Sequence, residues 1–217
     1  MTFSKRLVVE ALGTALLLAT VVGSGIMGER LAGGNVAIAL LANSLATGAV
    51  LIALIYIFGP MSGAHFNPAV TFAVAFRGGF AWKEVPGYTA AQIGGALLGV
   101  FTAHLMFAEP LLQTSHHVRS GGPQWLSEFV ATFGLLCVIW GCGPVRAQFS
   151  IGLYIIGAYW FTASTSFANP AVTTARAFTD TFAGIRPQDA PGFIVAQFAG
   201  ALVATALFAW LTRKGEG

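Results

Sequence analysis

The sequence predicts an all-α membrane protein: six transmembrane helices plus two re-entrant half-helices, arranged as an inverted repeat. Three observations carry this. The 217 residues are 56% hydrophobic and 9% charged, with mean hydropathy +0.75, whereas a soluble domain has about 25% charged residues. Asn-Pro-Ala occurs twice, at 67–69 and 169–171, 102 residues apart. The surroundings of the triplets repeat too: Glu10-Ala-Leu-Gly-Thr14 parallels Glu128-Phe-Val-Ala-Thr132, His65-Phe-Asn-Pro-Ala-Val-Thr71 parallels Phe167-Ala-Asn-Pro-Ala-Val-Thr173, and Ala91-Gln-Ile-Gly-Gly parallels Ala196-Gln-Phe-Ala-Gly.

Spanning segments are expected at 6–27, 35–58, 87–107, 125–143, 149–165 and 192–212, since a span needs about 20 apolar residues. The fifth is short, as suits a span that leads quickly into a half-helix. The first run, Leu7 to Ile26, exceeds the ~7–15-residue core of a signal peptide and carries Glu10, so it reads as a retained span. Two shorter apolar pieces, 67–76 and 169–178, follow the triplets. Ten residues of helix reach roughly 15 Å, half of a ~30 Å hydrocarbon core. Pro68 and Pro170 suit a first helical turn, where no N–H is needed, and Asn67 and Asn169 suit the N-cap before it. Three spans and a half-span per copy invert the second copy, so the half-helices enter from opposite faces and their N-termini meet at mid-depth. The expectation is one channel domain over 1–217, with repeats at 1–108 and 125–217. Gly95 and Gly99, with Gly200 and Ala204, have the small-xxx-small spacing of closely packed helices.

Charge placement gives orientation. Of eleven basic residues, Lys5, Arg6, Arg77, Lys83, Arg146, Arg213 and Lys214 fall at the termini or in alternate connections, and Arg30, Arg119, Arg176 and Arg186 fall on the other side. The split puts both termini in the cytoplasm. No basic run suggests nucleic acid. Cys137 and Cys142 point apart on one helix and read as buried thiols. No metal spacing and no nucleophile–base pair is present in the spans, so neither a metal, a cofactor nor an enzymatic activity is expected.

The double Asn-Pro-Ala, the Glu-bearing first and fourth spans and the Gln-bearing third and sixth spans resemble the aquaporin (major intrinsic protein) family. The resemblance runs from about Glu10 to Trp210. It implies an aquaporin-like bundle with one pore per protomer, assembled as a homotetramer, and passive conduction of water or small neutral solutes, with membrane lipid the only other partner. Asn67-Pro68-Ala69 and Asn169-Pro170-Ala171 then line the pore. Their amides and the half-helix N-termini favour a passing oxygen and oppose cations. Glu10 and Glu128, costly in a span, anchor the two loops. His65, Phe66, Phe167 and the loop carbonyls line the approaches, with His65 either a pH-sensitive constriction or a fixed neutral ring.

The family's filter positions map here to Thr47, Gly157, Ser166 and Val172, counted without gaps. Water-selective members usually carry Phe, His and Arg among these places, and glycerol facilitators Trp, Gly and Arg. This chain has neither the large aromatic nor the Arg there, which predicts a wide filter without its fixed cation. Arg176, four residues beyond Val172, either supplies a relocated cation at the outer vestibule or pairs with Asp180. The stretch NPAVTTARAFTDTFAGIRP at 169–187 is similar to a bacterial branch of aquaglyceroporins associated with arsenic-resistance genes. That implies a bacterial inner-membrane, multi-pass channel passing arsenous acid, a neutral trihydroxy molecule, as well as glycerol and water. The rival readings are a water-selective channel, an ion-coupled secondary transporter, which also uses inverted repeats, and a closed structural member.

Overall fold

Every long apolar run folds as a single helix. The computed structural model describes residues 1–143 and 146–213; Lys214, one of the basic residues assigned to the cytoplasmic side, lies outside them. Helices α1 (Phe3–Leu31) and α2 (Val36–Ser62) precede the short α3 (Pro68–Phe76). A 3₁₀ turn at Trp82–Glu84 leads into α4 (Val85–Phe107). The second half gives α5 (Gly122–Cys142), α6 (Ala147–Phe161), the short α7 (Pro170–Arg176) and α8 (Ala190–Leu211).

Five of these segments are long and apolar enough to cross a membrane. Helix α6, with 15 residues, reaches only about 22 Å. It stops at Phe161 rather than near 165, and residues 162–169 run as non-helical chain toward α7. Large apolar side chains such as Leu12, Leu98, Leu105, Leu126, Val195 and Trp210 are exposed, as expected of surfaces that face lipid.

The main packing pairs are α1 with α4, α5 with α8, α1 with α2, and α2 with α6. Small residues make the first two possible. A Cβ on Gly95 would fall 2.1 Å from the Ala11 carbonyl oxygen, and one on Gly200 would fall 2.4 Å from that of Phe129. Any side chain there would meet rigid backbone of the neighbouring helix. Helices α2 and α6 touch in the same way at Gly48 and Gly152, where a Cβ on either would lie 2.7 Å from the other's carbonyl oxygen. The short helices α3 and α7 meet inside this frame.

Candidate functional site

Asn67 and Asn169 each hold an extended backbone, with φ −156° and −159°, and cap the helix that follows. The Asn67 side-chain oxygen accepts from the N–H groups of Ala69 (2.9 Å) and Val70 (3.4 Å). Asn169 does the same for Ala171 (2.9 Å) and Val172 (3.3 Å). Each amide nitrogen also reaches into the other half. Nδ2 of Asn67 donates to the Ala168 carbonyl at 2.7 Å, and Nδ2 of Asn169 donates to the Phe66 carbonyl at 2.8 Å. A side-chain amide has two N–H donors, so each Asn keeps one for the space beside it. The two half-helices are thus joined by a reciprocal clasp.

The loops before the clasp are costly backbone. Ala64, Phe66, Thr165, Ser166 and Ala168 all have φ between 47° and 60°, a region that costs a non-glycine residue about 1 kcal/mol or more. Two buried carboxylates hold them. Glu10 accepts from the N–H groups of His65 (3.1 Å) and Phe66 (2.8 Å), from Ser62 Oγ (2.6 Å) and from Gln92 Nε2 (2.8 Å). Glu128 accepts from the N–H groups of Phe167 and Ala168, both 2.8 Å, and from Gln197 Nε2 at 2.6 Å. Each Gln also donates to a threonine of the adjacent half-helix, Thr71 or Thr173.

A cavity of about 220 Å³ runs past both asparagines, far above the ~10–15 Å³ that admits one water. Its walls follow the i, i+4 rule for one face of a helix. Helix α2 supplies Thr47, Leu51 and Ile55, and α6 supplies Ala147, Ile151, Ile155 and Tyr159; α3 gives Val70 and Val74, while α7 gives Val172 and Arg176. His65, Phe66, Ser166 and Phe167 complete the loops' share, and no Asp or Glu lines the cavity among the described residues. His65 Nδ1 lies 3.0 Å from Thr71 Oγ1, and its ring meets Phe80 edge-on.

Gly157 does not belong to this wall. It is exposed, with open space where a Cβ would be, and the α6 residue at that end of the cavity is Tyr159. Two residues apart on a helix means roughly 200° around its axis, so the ungapped count selected the opposite face. The two halves are also unequal in length here. Gly48 precedes Asn67 by nineteen residues, whereas Gly152 precedes Asn169 by seventeen. The stripe at 147, 151, 155 and 159 was the available signal. Tyr159 Oη makes a long hydrogen bond of 3.4 Å to Thr47 Oγ1.

The expectation of a filter without a fixed cation is corrected in the same place. Arg176 is 2% exposed and lines the cavity. Its guanidinium carbon lies 3.4 Å from the centre of the Phe167 ring, and its Nε donates to the Ala183 carbonyl. It does not pair with Asp180. That carboxylate takes the backbone N–H of His116 (2.8 Å) and then the His116 ring (3.0 Å), which hold its pKa below the usual carboxylate value. A second arginine approaches the same ring: the Arg119 guanidinium carbon is 5.2 Å from the Phe167 centre. Arg119 donates to the carbonyls of Gly184 (2.8 Å) and Ser164 (3.4 Å). Burial lowers its pKa, with Glu128 and Tyr159 opposing.

The Major intrinsic protein family model matches residues 1–157, 157 of 217 residues. This chain belongs to the major intrinsic protein family. The aquaglyceroporin AqpS of Rhizobium meliloti is 53% identical over 98% of this chain and 92% of its own length. Nodulin-26 of Glycine max is 36% identical over 69% of the chain and 54% of its own length. In fold, the chain is similar to the crystal structure of the aquaglyceroporin from Plasmodium falciparum, with TM-score 0.72 and 23% identity, covering 95% of this chain and 96% of the other. The chain is therefore a multi-pass membrane channel.

Proposed function

We propose that this member of the family passively conducts small uncharged hydroxylated solutes: glycerol, water and arsenous acid. The observation that carries the reading is the distribution of polar groups along the cavity. The repeat matches its two ends residue for residue. Ser166 corresponds to Ala64 and Arg176 to Val74 by the spacing of the Asn-Pro-Ala triplets. Thr47 corresponds to Ile151 and Tyr159 to Ile55 by the Gly48 and Gly152 contact. At these four positions the end holding Arg176 is polar and the other end is apolar, while the matched pair Phe167 and His65 runs the other way. A solute with several oxygens finds donors and hydroxyls at one end, the two Asn amides midway, and apolar walls for its carbon face.

Passive conduction rather than ion coupling is supported by the two buried carboxylates, whose oxygens are taken up by loop N–H groups. Arg176 and the two half-helix N-termini oppose cations. The similarity to an aquaglyceroporin at 53% identity points to glycerol-sized solutes.

We place the protein in a bacterial inner membrane, as a homotetramer of two inverted repeats, with both termini cytoplasmic. The Arg6–Glu84 ion pair (2.8 Å) puts the N-terminus and the 82–84 turn at one end, where most basic residues gather, and Arg30–Glu109 (2.8 Å) marks the opposite end. The test is stopped-flow flux in proteoliposomes for water, glycerol and arsenous acid. Fast, non-saturating fluxes without ion dependence are expected. Water flux with glycerol excluded would refute the solute reading, and dependence on an ion gradient would refute the channel reading.

A further inference from the structure

Arg176 and Ser166 line the cavity, and each carries a buried hydrogen-bonding atom with no partner in the protein, Nη1 and Oγ. Arg176 cannot turn away to satisfy itself, because its Nε is bound to the Ala183 carbonyl and its plane lies on Phe167. Among the described residues it is not ion-paired either, although the negative charge of Glu128 acts on both arginines. The Glu128 oxygens are held by Phe167, Ala168 and Gln197. Asp180 is held by His116, and Asp189 takes Arg186 (2.9 Å) and the Arg119 backbone N–H (2.9 Å). Arg119, the other guanidinium at the Phe167 ring, bonds through its side chain only to carbonyls.

Two like charges therefore share one aromatic ring, and among the described residues neither is ion-paired. A buried charge without a counter-ion is strongly destabilising unless something else supplies one. One fixed cation in a wet channel is satisfied by water. A second cation beside it, with an unused hydroxyl donor and no acid in the cavity wall, makes a positive recess where an anion is favoured over water. We propose that this end of the cavity is a binding site for a small monovalent anion, held by Arg176 and Ser166, with Arg119 adding to the field. The bound anion sits in the conduction path and slows neutral solutes. This last step rests on the reading of the cavity as that path.

The test uses the purified full-length channel in two assays. Glycerol efflux from proteoliposomes is followed as gluconate outside is replaced by nitrate at constant ionic strength, and ³⁵Cl line broadening is measured on the detergent-solubilised protein. Nitrate is expected to slow glycerol efflux saturably and to displace the chloride signal. Arg176→Met abolishes both effects. Arg119→Met raises the half-inhibiting concentration by about tenfold, the effect of losing one nearby charge. Should Arg176→Met fail to fold, Arg176→Lys keeps the charge and Ser166→Ala removes the hydroxyl; the first retains nitrate sensitivity and the second weakens it. Glycerol flux that ignores nitrate, together with absent chloride broadening, overturns the site. Equal nitrate inhibition in Arg176→Met overturns it as well. No glycerol flux in gluconate, with chloride still broadened, refutes the conduction reading and leaves the anion site standing.

Discussion

The Glu128 anchor makes a prediction whose sign is open to test. Its carboxylate accepts three buried donors, the N–H groups of Phe167 and Ala168 and the Gln197 amide, at 2.6–2.8 Å. It also holds a loop in which Thr165, Ser166 and Ala168 have positive φ. Glu128→Gln keeps the shape and one acceptor oxygen but turns an NH₂ toward a backbone N–H. One donor is orphaned, two donors face each other, and the charge that strengthens the other bonds is gone. At about 1–3 kcal/mol for an unsatisfied buried donor, with some loss in the remaining bonds, the cost is roughly 3 kcal/mol. Glu128→Ala orphans all three donors and costs roughly 3–9 kcal/mol, comparable to the whole stability of many domains. For a chain of this length, 3 kcal/mol lowers the melting midpoint by on the order of 10 °C. The opposing argument is that a buried carboxylate is costly in itself, so a neutral isostere should relieve the fold. Thermal melts of detergent-solubilised protein, read by size-exclusion chromatography, decide between them. A Glu128→Gln midpoint at or above wild type would refute the anchoring argument.

Three further perturbations follow from the geometry. Gly95→Val should abolish folded protein, since its Cβ falls 2.1 Å from the Ala11 carbonyl oxygen, whereas Gly94→Ala, with open space around it, should express and melt like wild type. Tyr159→Ala should raise flux of polyols larger than glycerol several-fold and Gly157→Ala should leave all fluxes unchanged; the reverse pattern in the same liposome assay would restore the ungapped filter. The depressed pKa of Asp180 means that its tie to His116 is fully present above the unfolded carboxyl value of about 3.9 and is lost as pH falls through the folded value. Protection from hydrogen exchange at 113–118, relative to the intrinsic rate at each pH, should therefore fall only below about pH 4 in wild type, and should be reduced at every pH in Asp180→Asn.

Much of the frame is legible because it depends on local rules. Long apolar runs must be helices in a membrane, Asn before Pro reads as a cap and a first turn, and Gly95 and Gly200 announce close packing by spacing alone. Glu10, Gln92, Glu128 and Gln197 also stand out as polar residues in apolar runs, and they proved to be partners. What could not be read was which face of α6 lines the cavity. The ungapped count landed on Gly157, on the opposite face from Tyr159. The fate of Arg176 was equally hidden. Asp180 lies four residues further on, but α7 ends at Arg176, so the i, i+4 geometry that would pair them does not exist. The competing partners, the Ala183 carbonyl and His116, come from chain that only the fold brings near.

The repeat also explains why those errors fell at one end of the cavity. Duplication imposes two equivalent ends, and the clasp between Asn67 and Asn169 preserves that equivalence at the centre, where each half completes the other. Selectivity requires that the equivalence be broken somewhere without loosening the clasp. The four matched positions lie beyond the Asn-Pro-Ala triplets or on flanking helices, and a change at any of them leaves the Glu and Asn bonds in place. Thr47, Tyr159, Ser166 and Arg176 thus differ from Ile151, Ile55, Ala64 and Val74 at little structural cost. A resemblance based on the conserved-looking centre is for that reason informative about the fold and uninformative about the solute. On the proposed reading, the solute is set by residues that the symmetry leaves free to differ.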